Sequence, residues 1–147
     1  MRDECFKAKE WLNRNFNFAR QVEADQRMLE IMSNRLGSGV SKYETDGSES
    51  HDVDKARARH DDALIEYSLQ REKVEREEKK LIEEMTKTRR AIDRLSDPAH
   101  QAVAIDRYIN RLRWADIATL EHVSIAQAHR IHSSMLERMA SIYREFE

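Results

Sequence analysis

The residues that break helices are few in this chain and lie in two places, which constrains the fold more than any other feature. All three glycines, Gly37, Gly39 and Gly47, lie in one short stretch, and the only proline is Pro98. Nothing between these points interrupts a helix. Charged residues make up 37% of the chain and hydrophobic residues 39%, a balance typical of long solvent-exposed helices. The sequence therefore predicts an all-α fold.

A long helix is predicted on each side of the glycines. Over residues 6–36, apolar residues recur at Phe18, Val22, Leu29, Met32 and Leu36, at steps of three or four once the polar Asp25 is counted in register. Phe6, Trp11 and Leu12 extend this pattern towards the start. A flexible loop over residues 37–52, rich in glycine, serine and acidic residues, follows. Residues 53–95 then form one uninterrupted helical stretch, about 65 Å long at ~1.5 Å per residue.

The second long helix carries a seam of residues at alternating steps of three and four: Leu64, Tyr67, Arg71, Val74, Glu78, Leu81, Met85, Thr88, Ile92 and Leu95. Such a heptad repeat is typical of coiled coils. The polar members Arg71 and Glu78 either specify the register or partner, or only weaken the seam. A helix of this length cannot bury its stripe alone, so the first helix is expected to pair with it as an antiparallel, coiled-coil-like hairpin. Residues 1–95 are thus predicted to form an oligomerisation region. The first helix is shorter than the second, so part of the second is expected to project beyond the hairpin. This unpaired part favours a homodimer, and the sequence does not fix the stoichiometry.

A separate C-terminal domain is predicted over residues 96–147. Asp97 is suited to cap a new helix and Pro98 to occupy its first turn. This helix is expected to run to about Asn110 and to bury some of Ala102, Val103, Ile105 and Ile109. The segment that follows, from Trp114 to Leu136, has the pattern of a helix-turn-helix motif.

Within this motif several positions have the residue type that the geometry needs. Ala118 is small where the two helices cross, and Val123 supplies the apolar residue of the turn. Ser124 and Gln127 have the spacing of a capping box, S-x-x-Q, at the start of the second helix. The buried face is then predicted to follow steps of three and four: Ala128, Ile131, Met135, Met139 and Ile142.

The exposed face of the second helix, residues 125–138, is predicted to enter the major groove of double-stranded DNA. The predicted DNA-binding residues are Arg111, Arg113, Ser124, Ala126, Gln127, His129, Arg130 and Ser133. Residues 96–147 carry a net charge of about −1, which argues against strong non-specific binding by one copy. Residues 87–113, however, carry a net charge of about +4, and a dimer would present this segment twice. Arg111 and Arg113 precede the motif, where contacts with the DNA backbone are common.

The segments "RYINRLRWADIA" and "VSIAQAHRIH" resemble the helix-turn-helix of sigma-70 region 4, and the chain is similar to phage and prophage transcriptional regulators of the ArpU and RinA type. The entry from Leu95 to Pro98 and the helix end from Arg107 to Ile109 are shared with that family. The resemblance implies regulation of phage genes through promoter binding. It aligns Trp114, Ile117 and Ala118 with the core of the first helix, Ser124 with the cap, and Arg130, Ile131 and His132 with the recognition helix. His122 replaces the usual glycine of the turn, Arg111 and Arg113 replace the usual glycine and serine before the first helix, and Ala128 replaces a β-branched residue.

Other classes of function have less support. His122, His129 and His132 lie close in sequence, but without cysteine or a clear carboxylate partner they make a poor zinc site, and we interpret them as surface histidines. No metal, cofactor or catalytic motif is predicted, and an enzyme is the least favoured class. The single Cys5 and the absence of a signal peptide or membrane-spanning stretch predict a cytoplasmic protein. Two alternatives to a DNA-binding regulator remain. One is a DNA-packaging component like a small terminase subunit, and the other is a module that binds RNA polymerase.

Overall fold

The computed structural model describes residues 2–43 and 50–147, with the side chains of residues 2–37 and 53–147. Its helices are α1 (Arg2–Tyr43), α2 (Ser50–Asp93), α3 (Pro98–Ala104), α4 (Trp114–Leu120) and α5 (Ile125–Met139). A π-helical turn, Ile105–Ile109, follows α3, and a 3-10 turn, Tyr143–Phe146, lies near the end of the chain. The described residues contain no strand, so the predicted all-α fold is confirmed. In the same ranges, no helix combines the length and the apolarity that crossing a bilayer requires.

The two long helices extend further into the glycine-containing stretch than predicted. α1 continues past Gly37 to Tyr43 and α2 begins at Ser50, so the prediction of a loop was wrong for residues 37–43 and 50–52. Residues 44–49 lie outside the described residues. A glycine in a helix costs only about 1 kcal/mol relative to alanine, which a helix of this length tolerates.

Residues 17–80 form one of two compact units, and in it α1 and α2 pair in antiparallel fashion. The ammonium group of Lys80 lies 5.6 Å from the centroid of the Phe18 ring. Further along α1, the backbone carbonyl of Asp25 accepts a hydrogen bond from Gln70, with a donor–acceptor distance of 3.1 Å. Contacting residues therefore have increasing residue numbers in α1 and decreasing residue numbers in α2. The predicted antiparallel hairpin is confirmed.

The seam of α2 differs from the predicted one in its N-terminal half. Leu64 is 42% exposed, and the Arg71 side chain is exposed and pairs with Glu75 on the same helix. The covered positions are one residue earlier, at Ala63 and Gln70, and the Gln70 amide donates to a backbone carbonyl of α1. The covered positions of α2 follow alternating three- and four-residue steps: His60, Ala63, Tyr67, Gln70, Val74, Glu77, Leu81, Glu84, Thr88 and Ala91. Leu95, just after the end of α2, continues the same spacing.

The second compact unit comprises the chain up to Phe16 together with Leu81–Glu147. Its main core joins the start of α1, the end of α2 and the C-terminal region: Ala8, Trp11, Leu12, Ala91, Ile92, Leu95, Ala104, Tyr108, Met135, Met139 and Tyr143. Phe6, which was predicted to extend the apolar pattern, is exposed because Ala8, Trp11 and Leu12 supply the covered side of α1. The contacts thus divide the chain elsewhere than at the predicted boundary after residue 95.

Within this second unit, Arg14 of α1 forms hydrogen bonds and an ion pair with α2. Its Nε lies 3.2 Å from a carboxylate oxygen of Glu84, and its Nη2 donates to the backbone carbonyl of the same residue at 3.0 Å. Its Nη1 donates to the carbonyl of Trp11 at 2.8 Å, and its guanidinium carbon lies 4.0 Å from the centroid of that indole. Burial lowers the pKa of Arg14, opposed by its hydrogen bond and ion pair with Glu84, so the ion pair works against a desolvation cost.

The start of α3 agrees with the prediction, whereas its end contains an unpredicted feature. The Asp97 side chain accepts a hydrogen bond from the Ala99 N–H at 2.9 Å, and Pro98 is the first residue of the helix. After Ala104 the helix widens, and the Asn110 N–H donates to the carbonyl of Ile105 at 2.9 Å, a spacing of five residues. Val103 and Tyr108 are buried. The predicted core positions Ala102, Ile105 and Ile109 are only partly buried.

Candidate nucleic-acid interface

α4 and α5 form a compact helix pair with a small core of its own. Val103, Ile117, Ala118 and Ala128 are buried together, and Leu112, Trp114, Val123 and Ile131 pack against them. Ala118 is small enough to let α5 pass close to α4, as predicted. On α5, Met135 and Met139 are buried too, but they belong to the larger core. The buried face of α5 therefore contributes to both cores, with Ala128 in the small core and Met135 and Met139 in the larger one.

The turn between α4 and α5 is closed by backbone geometry. The Val123 N–H donates to the carbonyl of Ala118 at 3.0 Å, which ends α4 and directs the Val123 side chain towards the core. His122 has a φ of 56°, a left-handed conformation that glycine adopts without steric cost. The residue that replaces the usual glycine of this turn therefore adopts the left-handed conformation itself.

Ser124 caps α5, but the capping box is only half formed. The Ser124 hydroxyl accepts a hydrogen bond from the Gln127 N–H at 3.0 Å. The Gln127 side-chain oxygen does not complete the box but accepts from Nε of Arg130 at 3.1 Å. The two side chains that we predicted to contact bases are therefore presented as a hydrogen-bonded pair on the surface.

The predicted outer face of α5 is exposed. Ala126, Gln127, Arg130 and Ser133 are all exposed, on the side of the helix opposite the buried Ala128 and Met135. The Ser133 hydroxyl donates to the carbonyl of His129, one turn earlier, at 3.0 Å. Arg130 therefore keeps its remaining guanidinium N–H groups towards solvent in a surface composed of small and polar side chains.

The two arginines before α4 have different surroundings. The Arg113 side chain is 90% exposed and its Nε lies 3.7 Å from a carboxylate oxygen of Asp116 on the first turn of α4. Such an exposed ion pair contributes little to stability, so Arg113 can exchange Asp116 for another anion at low cost. Arg111 is half-buried and has a φ of 57°, the second left-handed residue among the described residues that are not glycine.

His132 was interpreted from the sequence as a surface histidine, and this interpretation was wrong. The residue is 6% exposed, and its Nε2 lies 2.6 Å from the hydroxyl of Tyr108. Its ring centroid also lies 4.8 Å from that of Trp114, edge to face. Burial, followed by the positive charges of Lys9, Arg107 and His129, lowers the pKa of His132 to about 4, so the ring is neutral at pH 7. The missed signal is its spacing, since His132 lies four residues after Ala128 and three before Met135.

The other histidines of this region are exposed, as predicted. His129 lies on the surface, and its ring centroid is 4.3 Å from that of Trp114. The indole therefore contacts both histidine rings of α5. Trp114 is therefore a packing residue of the motif, as the sequence indicated. The described residues contain no group of three or more histidine, cysteine or acidic side chains that could hold a metal ion.

Arg107 holds the segment between the π-helical turn and α4. Its Nη1 donates to the backbone carbonyl of Leu112 at 2.9 Å, and its guanidinium carbon lies 5.0 Å from the centroid of the Trp114 indole. Although the sequence places Arg107 among the basic residues near the motif, these contacts assign it to positioning of the backbone rather than to the exposed surface.

Glu121 directly follows α4, beside the turn of the motif. Interaction with the carboxyl group of Asp106, followed by burial, raises the pKa of Glu121.

Ile125, the first residue of α5, was not among the predicted contact residues, yet it belongs to the same exposed surface. Its side chain is 49% exposed, and Leu120 at the end of α4 is 58% exposed. The residue type gave no signal for this exposure, because an isoleucine is usually buried.

The chain matches one known family model. The model is described as a protein of unknown function (DUF1492), and it matches residues 47–139, more than half of the chain. This chain belongs to the DUF1492 family. The match covers the span from α2 to the end of α5, so both helices of the helix-turn-helix pair lie within the DUF1492 region. Neither the curated proteins nor the solved structures include a match to this DUF1492 chain.

Proposed function

We propose that this protein is a DNA-binding transcriptional regulator of phage or prophage genes, in which α5 is the recognition helix. The observation that carries the proposal is the exposed face of α5, where Arg130, Gln127 and Ser133 project from a helix fixed on its other side by two cores. A rigid helix with exposed arginine, amide and hydroxyl groups suits hydrogen bonding to base edges in the major groove.

The local geometry of the pair supports the same proposal. The cap at Ser124, the crossing at Ala118 and the left-handed residue at His122 are what a helix-turn-helix requires at these positions. They also support the resemblance to sigma-70 region 4 and to the ArpU and RinA regulators. Arg113 is exposed before α4, and in the proposed complex it contacts a phosphate. The proposed site of action is the cytoplasm.

Pairing of two copies is part of the proposal. The near-neutral charge of the C-terminal region gives one copy little non-specific affinity for DNA, and a homodimer doubles the number of phosphate contacts. We assign this pairing to the long helices, where the described apolar side chains Met28, Ile31, Ile65 and Leu69 are exposed. Light scattering of the purified protein then gives twice the 17.4 kDa mass of the chain. A ring of eight or more subunits supports the DNA-packaging alternative instead.

The decisive experiment selects duplexes from a random library with the full-length protein and measures their affinity by fluorescence anisotropy. Arg130→Ala is expected to weaken binding of the selected duplex roughly 5- to 150-fold, the value of a specific base contact. Arg57→Ala is the matched control, because Arg57 is an exposed arginine of α2 and its loss changes the net charge equally. Equal affinities for the two variants contradict the role of α5. Failure to select any duplex, together with capture of purified RNA polymerase, supports the polymerase-binding alternative.

A further inference from the structure

The recognition surface contains two adjacent apolar side chains that the core does not use. Ile125 is 49% exposed and Ala126 is exposed beside it, whereas Ala128, Met135 and Met139 of the same helix are buried. An isoleucine held half in water loses part of the free energy that burial would give it. A partner that covers Ile125 recovers this free energy.

Helix periodicity places Ile125 among the proposed DNA contacts. Residues four apart lie on the same side of a helix, so Ile125, His129 and Ser133 form one row along α5. Ala126 and Arg130 form the neighbouring row. Ile125 therefore begins a row of which the other two members were predicted to contact DNA, and Arg130 follows it by about 1.4 turns in the neighbouring row.

The major groove has one apolar feature that matches this surface. Guanine, cytosine and adenine present hydrogen-bonding groups there, whereas thymine also presents its C5-methyl group. We propose that Ile125, with Ala126 beside it, determines specificity by contacting a thymine methyl group, so that the target half-site contains an A·T pair as well as the guanine suited to Arg130. This inference rests on the proposed function, and it names the chemistry that the function would recognise.

The test uses the full-length protein and the duplex selected from a random library. Each thymine of that duplex is replaced in turn by deoxyuridine, which removes only the methyl group. At one position the wild-type protein is expected to lose affinity about fourfold, the value of one buried methyl group. Ile125→Ala is expected to bind the thymine duplex more weakly and to lose nothing further at that position with deoxyuridine. Leu120→Ala is the matched control, since it removes another exposed apolar side chain from the motif and is expected to keep the full fourfold sensitivity.

The outcomes separate the inference from the function on which it rests. Wild-type affinity that is unchanged by every deoxyuridine overturns the inference while leaving the DNA-binding proposal in place. Equal sensitivity of Ile125→Ala and the wild type also overturns the inference, because the methyl group then contacts another residue. If the wild-type protein selects no duplex, the proposed function fails and the inference fails with it. Ile125→Val, which keeps most of the side chain, is expected to restore most of the sensitivity.

Discussion

The buried histidine makes the stability of this protein depend on pH in a calculable way. The pKa of His132 is about 4 in the folded protein, whereas its ordinary value is 6.5. Because the folded-state value is the lower one, the unfolded chain takes up the proton first as the pH falls. The stability that the neutral ring contributes is therefore fully present above pH 6.5 and is lost progressively between pH 6.5 and 4.

The size of the effect follows from linkage. Each unit of pKa difference corresponds to about 1.4 kcal/mol, so the full difference is worth roughly 3 kcal/mol, of which about 2.5 kcal/mol is lost by pH 4.5. Urea unfolding at pH 7 and at pH 4.5 measures the change in the free energy of unfolding. Since carboxyl groups also titrate over part of this range, the informative quantity is the difference between wild type and His132→Gln.

We expect the wild type to lose about 2.5 kcal/mol more than His132→Gln between the two pH values. His132→Gln will also be less stable at pH 7, because it disturbs the hydrogen bond to Tyr108 and the contact with Trp114. His129→Gln is the matched control, since His129 is an exposed histidine of the same helix and only the smallest cause of the lowered His132 pKa, so it should keep nearly the full pH dependence of the wild type. Identical pH dependence in His132→Gln and wild type would refute a buried neutral ring.

Three further predictions concern single positions. His122→Gly is expected to stabilise the protein by about 1 kcal/mol in urea unfolding, because glycine relieves the left-handed strain at φ 56°; His122→Ala keeps that strain, and a more stable alanine variant would contradict the argument. Ser124→Ala is expected to cost about 1 kcal/mol through loss of the helix cap, measured against Ser134→Ala on the exposed side of the same helix, and equal costs would speak against the cap. Arg14→Lys is expected to lower the free energy of unfolding by roughly 2 kcal/mol, because an ammonium group cannot keep both contacts with Glu84 and the ring contact at once. An unchanged free energy of unfolding in Arg14→Lys would show that the positive charge alone matters.

Much of the fold follows from local features of the sequence. The sparse helix breakers predicted the long helices, and Asp97 and Pro98 predicted the start of α3. The small residue at Ala118 and the cap at Ser124 predicted the arrangement of α4 and α5. These features act over a few residues, so the sequence pattern is sufficient to identify them.

Features that depend on distant contacts were not predictable in this way. The start of α1 packs with the C-terminal region, and the Tyr143 hydroxyl donates to the carboxylate of Glu4 at 3.4 Å across nearly the whole chain. No periodicity within α1 indicates such a partner. The burial of His132 could be inferred from its spacing to Ala128 and Met135, but its hydrogen-bond partner, Tyr108 of another helix, could not. In the candidate site, the exposure of the outer face of α5 could be predicted, but the pairing of Gln127 with Arg130 depends on side-chain conformations.

The π-helical turn at Ile105–Ile109 has a consequence for the length of the chain at this point. A turn of this kind accommodates one residue more than an α-helical turn, so it acts as a one-residue insertion within otherwise regular helix. Removing a single residue here would convert the turn to α-helix, and because the turn holds one residue more, the side chains after the deletion would keep nearly their angular phase relative to α3. The same deletion in a regular α-helix would rotate every later side chain by about 100°. This short segment is therefore a place where the chain can become one residue shorter without reorienting the motif that follows.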